Sequence, residues 1–229
     1  MKDNKFIRLY RFMPTRFALL SIQKRQLKIS RISELNVPFE WRLGITGLTA
    51  QSEKVYYETV MREFIAEQSE KYGLISFSAT ATDPLLWGHY ADKHEGIALG
   101  FDYCAKPGSP QEMEYRTQRP SLRKDQIGNH AILRITWEDA LKTKYIAWEY
   151  EEEHRIYPDL DLETFRDGHY FAPIPDDFLK VVILGARCEE SPHKVRQTLD
   201  RSGFADAEIR KASLSPHEYR VLVGDMRRR

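Results

Sequence analysis

The sequence predicts an α+β protein: a single domain with a mixed, mainly antiparallel sheet flanked by helices. Three observations lead to this prediction. Strand-like and helix-like segments follow one another irregularly, without the strict alternation of a doubly wound sheet. The chain has 229 residues, 41% of them hydrophobic, which is enough for one substantial core. No internal repeat or low-complexity linker divides it, so we expect one domain over residues 1–229.

Strands are predicted where short apolar or aromatic-rich runs lie between turn residues. In chain order these runs cover 6–12, 27–30, 74–78, 97–101, 112–116, 153–157, 179–184 and 219–223. The stretch 36–40 is predicted to be a loop, because the residue before Pro38 avoids the helical conformation.

Helices are predicted from apolar positions with a helical period and from capping residues. They cover 15–24, 51–72, 84–92, 138–147 and 192–203, whereas 125–136 fits no single class. In the second helix Val55, Thr59 and Phe64 form the expected apolar stripe, and Gly73 is the expected terminating residue. The third helix follows Asp83 and starts at Pro84, the pattern of an N-cap followed by proline.

Charge and composition exclude several classes of protein. A net charge of +1 removes the strongest electrostatic argument for nonspecific binding to nucleic acid. No run approaches 18 apolar residues, so we expect no membrane partner, and the charged residues 1–14 are not a signal peptide. Cys104 and Cys188 fit free thiols in a reducing compartment, which predicts a cytoplasmic protein. Arg227–Arg229 is expected to be a solvated tail.

Known catalytic motifs are absent from the sequence. There is no glycine-rich dinucleotide or phosphate loop, no zinc-protease HExxH, no GxSxG and no CxxC pair. His89 and His94 are five residues apart and do not share a helical face as metal ligands would. We therefore predict no metal.

The first distinctive cluster is WGHYADKH at 87–94. On a helix, Trp87, His89 and Tyr90 include rings that can project toward a pocket and contact a ligand. The alternative is that Trp87 and Tyr90 belong to the core while His89 bonds a backbone carbonyl.

The second cluster is the acidic and aromatic run at 144–155. A charged surface at a helix end is the simpler interpretation. If the chain is extended from residue 151, however, Glu151, Glu153 and Arg155 share one strand face because side chains alternate with a period of two. Two carboxylates and a guanidinium so close together favour an organised site.

The third candidate is Tyr10–Arg11 in the first strand. Arg11 is either a surface residue or a clamp for phosphate or carboxylate, which the planar guanidinium suits. Ser78 ends a predicted strand, where its hydroxyl either holds a ligand or caps the following segment.

Three segments resemble the bacterial domain of unknown function 2971. They are WGHYADKHEGIALGFD (87–102), KYIAWEYEEEHR (144–155) and VVILGARC (181–188). LYRF at 9–12 and NVPFE at 36–40 also fit that family, although its members show Asn-Asp-Pro-Phe where this chain has Asn36-Val37-Pro38-Phe39. The resemblance spans about residues 6–190, followed by a predicted helix and strand over 191–224. It implies a component of bacterial antiviral or abortive-infection loci.

The order of candidate residues is also similar, more remotely, to that of ADP-ribosyltransferases. This resemblance implies an ADP-ribosyltransferase-like fold with NAD as substrate and Arg11, Ser78 (or Tyr90) and Glu153 as catalytic residues. Residues expected to contact the cofactor are Tyr10, Trp87, His89, Tyr90, Glu151 and Arg155. The expected partners are a protein or nucleic-acid acceptor and an antitoxin or other defence protein. The alternative function is a non-catalytic binding or sensor module of a phage-defence system.

Overall fold

The computed structural model describes residues 6–34, 41–104 and 108–225. It confirms the predicted α+β class with a mixed, mainly antiparallel sheet. The predicted loop at 36–40 and the Arg227–Arg229 tail lie outside the described residues. Within the described ranges, every helix is too short or too polar to cross a bilayer.

The described elements are listed here in chain order. The helices are α1 (Thr15–Lys24), α2 (Gln51–Lys71), α3 (Pro84–Tyr90), α4 (His130–Leu141) and α5 (Pro192–Arg201). The strands are β1 (Phe6–Met13), β2 (Gln26–Arg31), β3 (Gly44–Thr46), β4 (Gly73–Ser78), β5 (Ile97–Cys104), β6 (Gln111–Glu112), β7 (Glu114–Arg116), β8 (Ser121–Arg123), β9 (Thr143–Tyr145), β10 (Glu153–Ile156), β11 (Thr164–Arg166), β12 (His169–Pro173), β13 (Leu179–Leu184), β14 (Glu208–Leu214) and β15 (Val221–Asp225).

The large sheet is divided at β4. Ser78 pairs with Tyr10 of β1 and with Glu153 of β10, so these two strands lie on opposite edges of β4. At the other end of β4, Gly73 donates to the carbonyl of Pro158 on the β10 side and pairs with Arg31 of β2. It follows that β2 and β1 share one edge of β4. β1 pairs with one end of this edge and β2 with the other end, so none of the described pairings covers the middle of the edge. We call this gap the fork.

The two arms of the fork continue into separate parts of the sheet. One arm runs from β2 to β12 and β11, and the other from β1 through β5, β13, β14 and β15. Nearly all pairs in these arms are antiparallel, and β13 with β14 is parallel. β10 and β6 extend the sheet from the opposite edge of β4. Two further parallel pairs, β3 with β8 and β7 with β9, lie outside the large sheet.

Apolar side chains cover both faces of the second arm. Leu9 and Met13 of β1 join the largest core cluster, to which α1 contributes Ile22 and α5 contributes Leu199. Residues at the alternate positions of β1 pack on the other face, where the cluster contains Trp87 of α3. Two smaller clusters lie beneath α2 and α4. The fork therefore opens between well-packed regions.

Several predicted elements are confirmed closely and two details are wrong. Both α1 and β13 have the predicted bounds. The apolar stripe of α2 was misplaced, because Val55 is exposed and Thr59 only half-buried, while Tyr57 and Met61 are buried. Gly73 does not terminate α2 in a left-handed conformation; it starts β4, where a Cβ would lie 2.2 Å from Cγ2 of Ile29.

The predicted helix at 138–147 is also wrong. α4 starts earlier because the Asn129 side chain accepts a hydrogen bond from the Ile132 amide and caps it. It ends at Leu141 because Thr143–Tyr145 pairs with β7. Tertiary pairing overrides helix propensity here.

Two of the family-like segments meet in a tight backbone contact. Asp92, Lys93 and His94 all have positive φ, between 47° and 73°, in the turn that follows α3. Gly185 at the end of β13 packs onto this turn, and its amide donates to the Gly96 carbonyl at 2.9 Å. A Cβ on Gly185 would lie 2.2 Å from the His94 carbonyl oxygen. Backbone contacts thus fix these two segments to each other.

We predict that Gly185→Ala lowers the free energy of unfolding by about 1–3 kcal/mol or more, because the added methyl group meets fixed backbone atoms. The matched control is Gly88→Ala in α3, where a Cβ meets no atom within 4 Å and alanine favours the helix. Urea denaturation of both variants is the measurement. Equal stability of the two would contradict the close contact.

Candidate active site

A cavity of about 220 Å³ lies at the fork. Side chains from β1, β2, β4, α3, β9, β10 and the 3₁₀ turn Ile146–Glu151 surround it. They are Tyr10, Arg11, Phe12, Ser30, Leu74, Ser76, Phe77, Ser78, Leu86, Tyr90, Lys144, Glu151, Glu153 and Arg155. Seven of the nine residues predicted for the site are in this list, although they are spread from residue 10 to residue 155.

Four buried charges form one network in the cavity wall. The Lys144 ammonium donates to Glu151 and, at 2.8 Å, to Oε2 of Glu153. Arg155 donates from Nε and Nη2 to the two oxygens of Glu153, at 2.7 and 2.9 Å. The Tyr90 hydroxyl donates to Oε1 of Glu151 at 2.7 Å and links α3 to the network. Each side chain of the four ions is 5% exposed or less.

Glu153 is held as a carboxylate despite its burial. Burial alone would raise the pKa of Glu153, but the charges and hydrogen bonds of Arg155 and Lys144 outweigh it and lower the pKa to about 2. The backbone of the same residue is also fixed, because its amide donates to the Tyr115 hydroxyl at 2.7 Å. Glu153 therefore presents a fixed negative charge at neutral pH.

Arg11 crosses the fork and, as far as residues 6–34, 41–104 and 108–225 are concerned, supplies charge without a carboxylate partner. Its Nη2 donates to the Lys28 carbonyl of β2 at 2.7 Å, which ties the two arms together. Its Nη1 is buried and has no hydrogen-bond partner among the described residues. Burial lowers the pKa of Arg11 to about 10, so the guanidinium stays charged at neutral pH. The cavity lining holds three cations and two carboxylates, and this arrangement favours an anionic ligand.

Ser78 and Tyr90 have polar groups that are already engaged. The Ser78 hydroxyl donates to the Thr80 carbonyl at 3.0 Å and accepts from the Thr80 amide at 3.1 Å. Ser78 therefore shapes the turn after β4 as well as lining the cavity. Burial, followed by the Glu151 charge, raises the pKa of Tyr90, so its hydroxyl remains protonated and acts as a donor.

Trp87 and His89 do not line the cavity. Trp87 is fully buried, donates from Nε1 to the Ala81 carbonyl at 2.9 Å and packs edge-on against Phe12. This is the core position that the alternative interpretation expected. His89 is exposed and lies against Trp148, on the outer side of α3. Tyr10 does line the cavity, next to Arg11 on β1.

Two contributors were missed as site residues. Lys144 links both carboxylates, yet it precedes them by seven and nine residues and no local period connects it to them. Its only signal was a lysine beside an acidic cluster. Tyr115 reaches Glu153 from a separate strand, and a single sequence carries no signal for that contact.

The residues described by the structure contain no group of three or more His, Cys, Asp or Glu side chains arranged to hold a metal ion. Cys104 and Cys188 are free thiols.

Fold and site together define an α+β protein with a charged cavity at the fork of its sheet. Residues 86–156 match a family model described as "Protein of unknown function (DUF2971)", which confirms the predicted family resemblance. This segment, from α3 to β10, contains Tyr90, Lys144 and all of Glu151–Arg155, whereas Arg11 and Ser78 lie outside it. No curated protein and no solved structure matches the chain. The similarity to ADP-ribosyltransferases stays a prediction.

We predict that Glu153→Gln lowers the free energy of unfolding by about 3–5 kcal/mol at pH 7, because Arg155 and Lys144 lose a buried counter-charge. The contribution of Glu153 depends on pH in a defined direction. Its pKa is lowered from 4.5 to about 2 on folding, so its stabilisation is complete above about pH 4.5 and is lost as pH falls toward 2. The gap between wild type and variant should therefore close in acid.

Urea denaturation between pH 7 and pH 2 measures this gap. Glu114→Gln is the control, because Glu114 forms an exposed ion pair with Arg116 and should change stability by about 1 kcal/mol or less. A gap for Glu153→Gln that does not vary with pH would show that the carboxylate charge is not what stabilises the site.

Proposed function

We propose that this cavity binds NAD and that the protein is an NAD-dependent ADP-ribosyltransferase acting as an antiviral (abortive-infection) or toxin effector in bacteria. One observation carries the proposal. Arg11, Ser78, Tyr90 and Glu153 come from four separate elements and line the same cavity. Their order along the chain is the one that suggested the resemblance to ADP-ribosyltransferases.

Arg11 would bind the pyrophosphate. Its buried Nη1 has no partner among the described residues, and a phosphate oxygen would satisfy it with a charge-assisted hydrogen bond. The negative charge of the phosphate would also balance the one positive charge by which cations exceed carboxylates in the cavity lining. Tyr90 would stack on the nicotinamide ring.

Glu153 would stabilise the transition state. The C1′–N bond of the nicotinamide ribose breaks, nicotinamide leaves with the bonding electron pair, and the ribose develops oxocarbenium character. The acceptor then forms a bond to C1′ and releases its proton to solvent. A carboxylate with a pKa of about 2 offers a fixed negative charge to this positive centre. Three donors occupy its roughly four lone-pair directions, which leaves one for a ribose hydroxyl.

The size of the cavity limits which part of NAD it encloses. At about 220 Å³ it is smaller than the roughly 300–1,000 Å³ of most ligand clefts. The nicotinamide ribose would occupy the cavity, and the adenosine half would lie along the open side of the fork.

A second function has one observation in its favour. Glu151 and Glu153 are both engaged in ion pairs, so the cavity holds no unpaired carboxylate to act as a general base. The same cavity could then be the binding site of a sensor module in a phage-defence system, with an anionic ligand bound and not converted.

We predict that Arg11→Gln reduces nicotinamide release from NAD by about 10-fold or more, because a charged hydrogen bond contributes about 1.5–3 kcal/mol. Arg8→Gln is the matched control. It removes an arginine from the same strand, but Arg8 pairs with Asp102 and does not line the cavity. Release is followed by chromatography with bacterial lysate as acceptor, and thermal melting checks that each variant is folded.

Calorimetric titration with NAD separates the two functions. Binding that Arg11→Gln abolishes, together with release that Tyr90→Ala diminishes, supports the transferase. NAD binding without release by the wild type favours the sensor. A wild-type protein that neither binds NAD nor releases nicotinamide, or an Arg8→Gln variant as impaired as Arg11→Gln, sinks the transferase.

A further inference from the structure

Four rings form a connected surface on the outer side of the cavity, which we call the aromatic rim: His89, Tyr90, Trp148 and Tyr150. The centroid of the His89 ring lies 6.1 Å from that of Tyr90 and 6.3 Å from that of Trp148. Trp148 in turn lies 6.0 Å from Tyr150. The hydrogen bond from Tyr90 to Glu151 brings α3 and the 3₁₀ turn together and so assembles the rim.

The rim is accessible and is not part of a hydrophobic core. His89 and Tyr90 are exposed, and Trp148 and Tyr150 are partly exposed. Beside His89, a Cβ placed on Gly88 would meet no atom within 4 Å, so the adjacent surface of α3 is open. Partly exposed rings in a connected group, next to a charged cavity, are suited to contact a ligand.

The surroundings of the rim are acidic. Glu149 lies on the same turn between Trp148 and Tyr150 in the sequence, Glu152 directly follows the turn, and both are exposed. Burial, then the charges of Glu151 and Asp83, raise the pKa of Tyr150 to about 12, so both carboxylates act on this ring. A nucleic acid would bring phosphates against these carboxylates, whereas a cation would be attracted by both carboxylates and ring faces.

One ring of the rim already contacts a cation. The Lys144 ammonium lies 5.2 Å from the centroid of the Trp148 ring, within cation–π range. That ammonium is buried, whereas the Trp148 ring is partly exposed and keeps surface for a ligand from solvent.

We propose that the aromatic rim binds arginine side chains of a basic polypeptide. A guanidinium is planar and weakly hydrated, so it stacks on aromatic faces while its edges donate to carboxylates such as Glu149 and Glu152. The proposal is independent of NAD turnover. If both hold, the bound polypeptide is the acceptor and a nucleic acid is not.

The sequence provides a spectroscopic reporter for this site. All four tryptophans lie in the described part of the chain. Trp41, Trp87 and Trp137 are each 4% exposed or less, so Trp148 alone among them can contact a ligand from solvent. A ligand on the rim should change the Trp148 emission, and Trp148→Phe should remove the change while keeping a ring.

The experiment titrates the full chain with three probes: a short glycine-rich peptide carrying two arginines, the same peptide with uncharged citrulline, and a single-stranded oligothymidylate. We expect saturable quenching by the arginine peptide, about fivefold or more weaker binding of the citrulline peptide, and weakening of the arginine complex by salt. His89→Ala and Glu149→Gln should each weaken arginine-peptide binding by roughly threefold to tenfold in calorimetry.

Tyr56→Ala is the matched control, because Tyr56 is an exposed ring on α2 outside the rim, and it should bind the peptide like the wild type. Absence of quenching, equal binding of the citrulline peptide, or tighter binding of the oligonucleotide each overturns the proposal.

Discussion

Mutual compensation of four buried charges is the interaction on which the rest of the site depends. Glu153 without Arg155 and Lys144 would be an uncompensated ion in the protein interior, which costs several kcal/mol. The network joins β9, the 3₁₀ turn and β10, and Tyr90 extends it to α3. Loss of one charge would therefore disturb the positions of all the elements that this network connects.

The fork in the sheet sets the position of Arg11, the charged cavity residue that lies outside this network. Where β1 and β2 diverge, the edge of β4 carries backbone groups between its two pairings. Arg11 donates across the gap to a carbonyl of β2, while its Nη1 is buried without a hydrogen-bond partner among the described residues. A structural tie and, in the proposed function, a phosphate-binding group thus belong to one side chain.

Much of the fold could be predicted because its signals are local. The bounds of α1, the N-cap of α3 and the buried run of β13 depend on neighbouring residues, and the structure confirms them. The grouping of Glu151, Glu153 and Arg155 was also expected, although Glu151 lies on a 3₁₀ turn and Glu152 has a φ of 43°. Lys144 was not predicted as a site residue because its partners are set by tertiary folding. The core position of Trp87 was only one of two alternatives for the same reason, because its burial depends on the face of the sheet against which α3 packs.

The Arg11 nitrogen that lacks a partner within the described part of the chain has a practical consequence for handling the protein. A site with surplus positive charge and a buried donor does not distinguish strictly between a nucleotide phosphate and a simple oxyanion of similar shape. Sulfate or inorganic phosphate in a purification buffer would compete for it, and the apparent affinity for any cellular ligand would fall accordingly. Chloride-based buffers of low ionic strength are therefore the appropriate medium in which to search for that ligand.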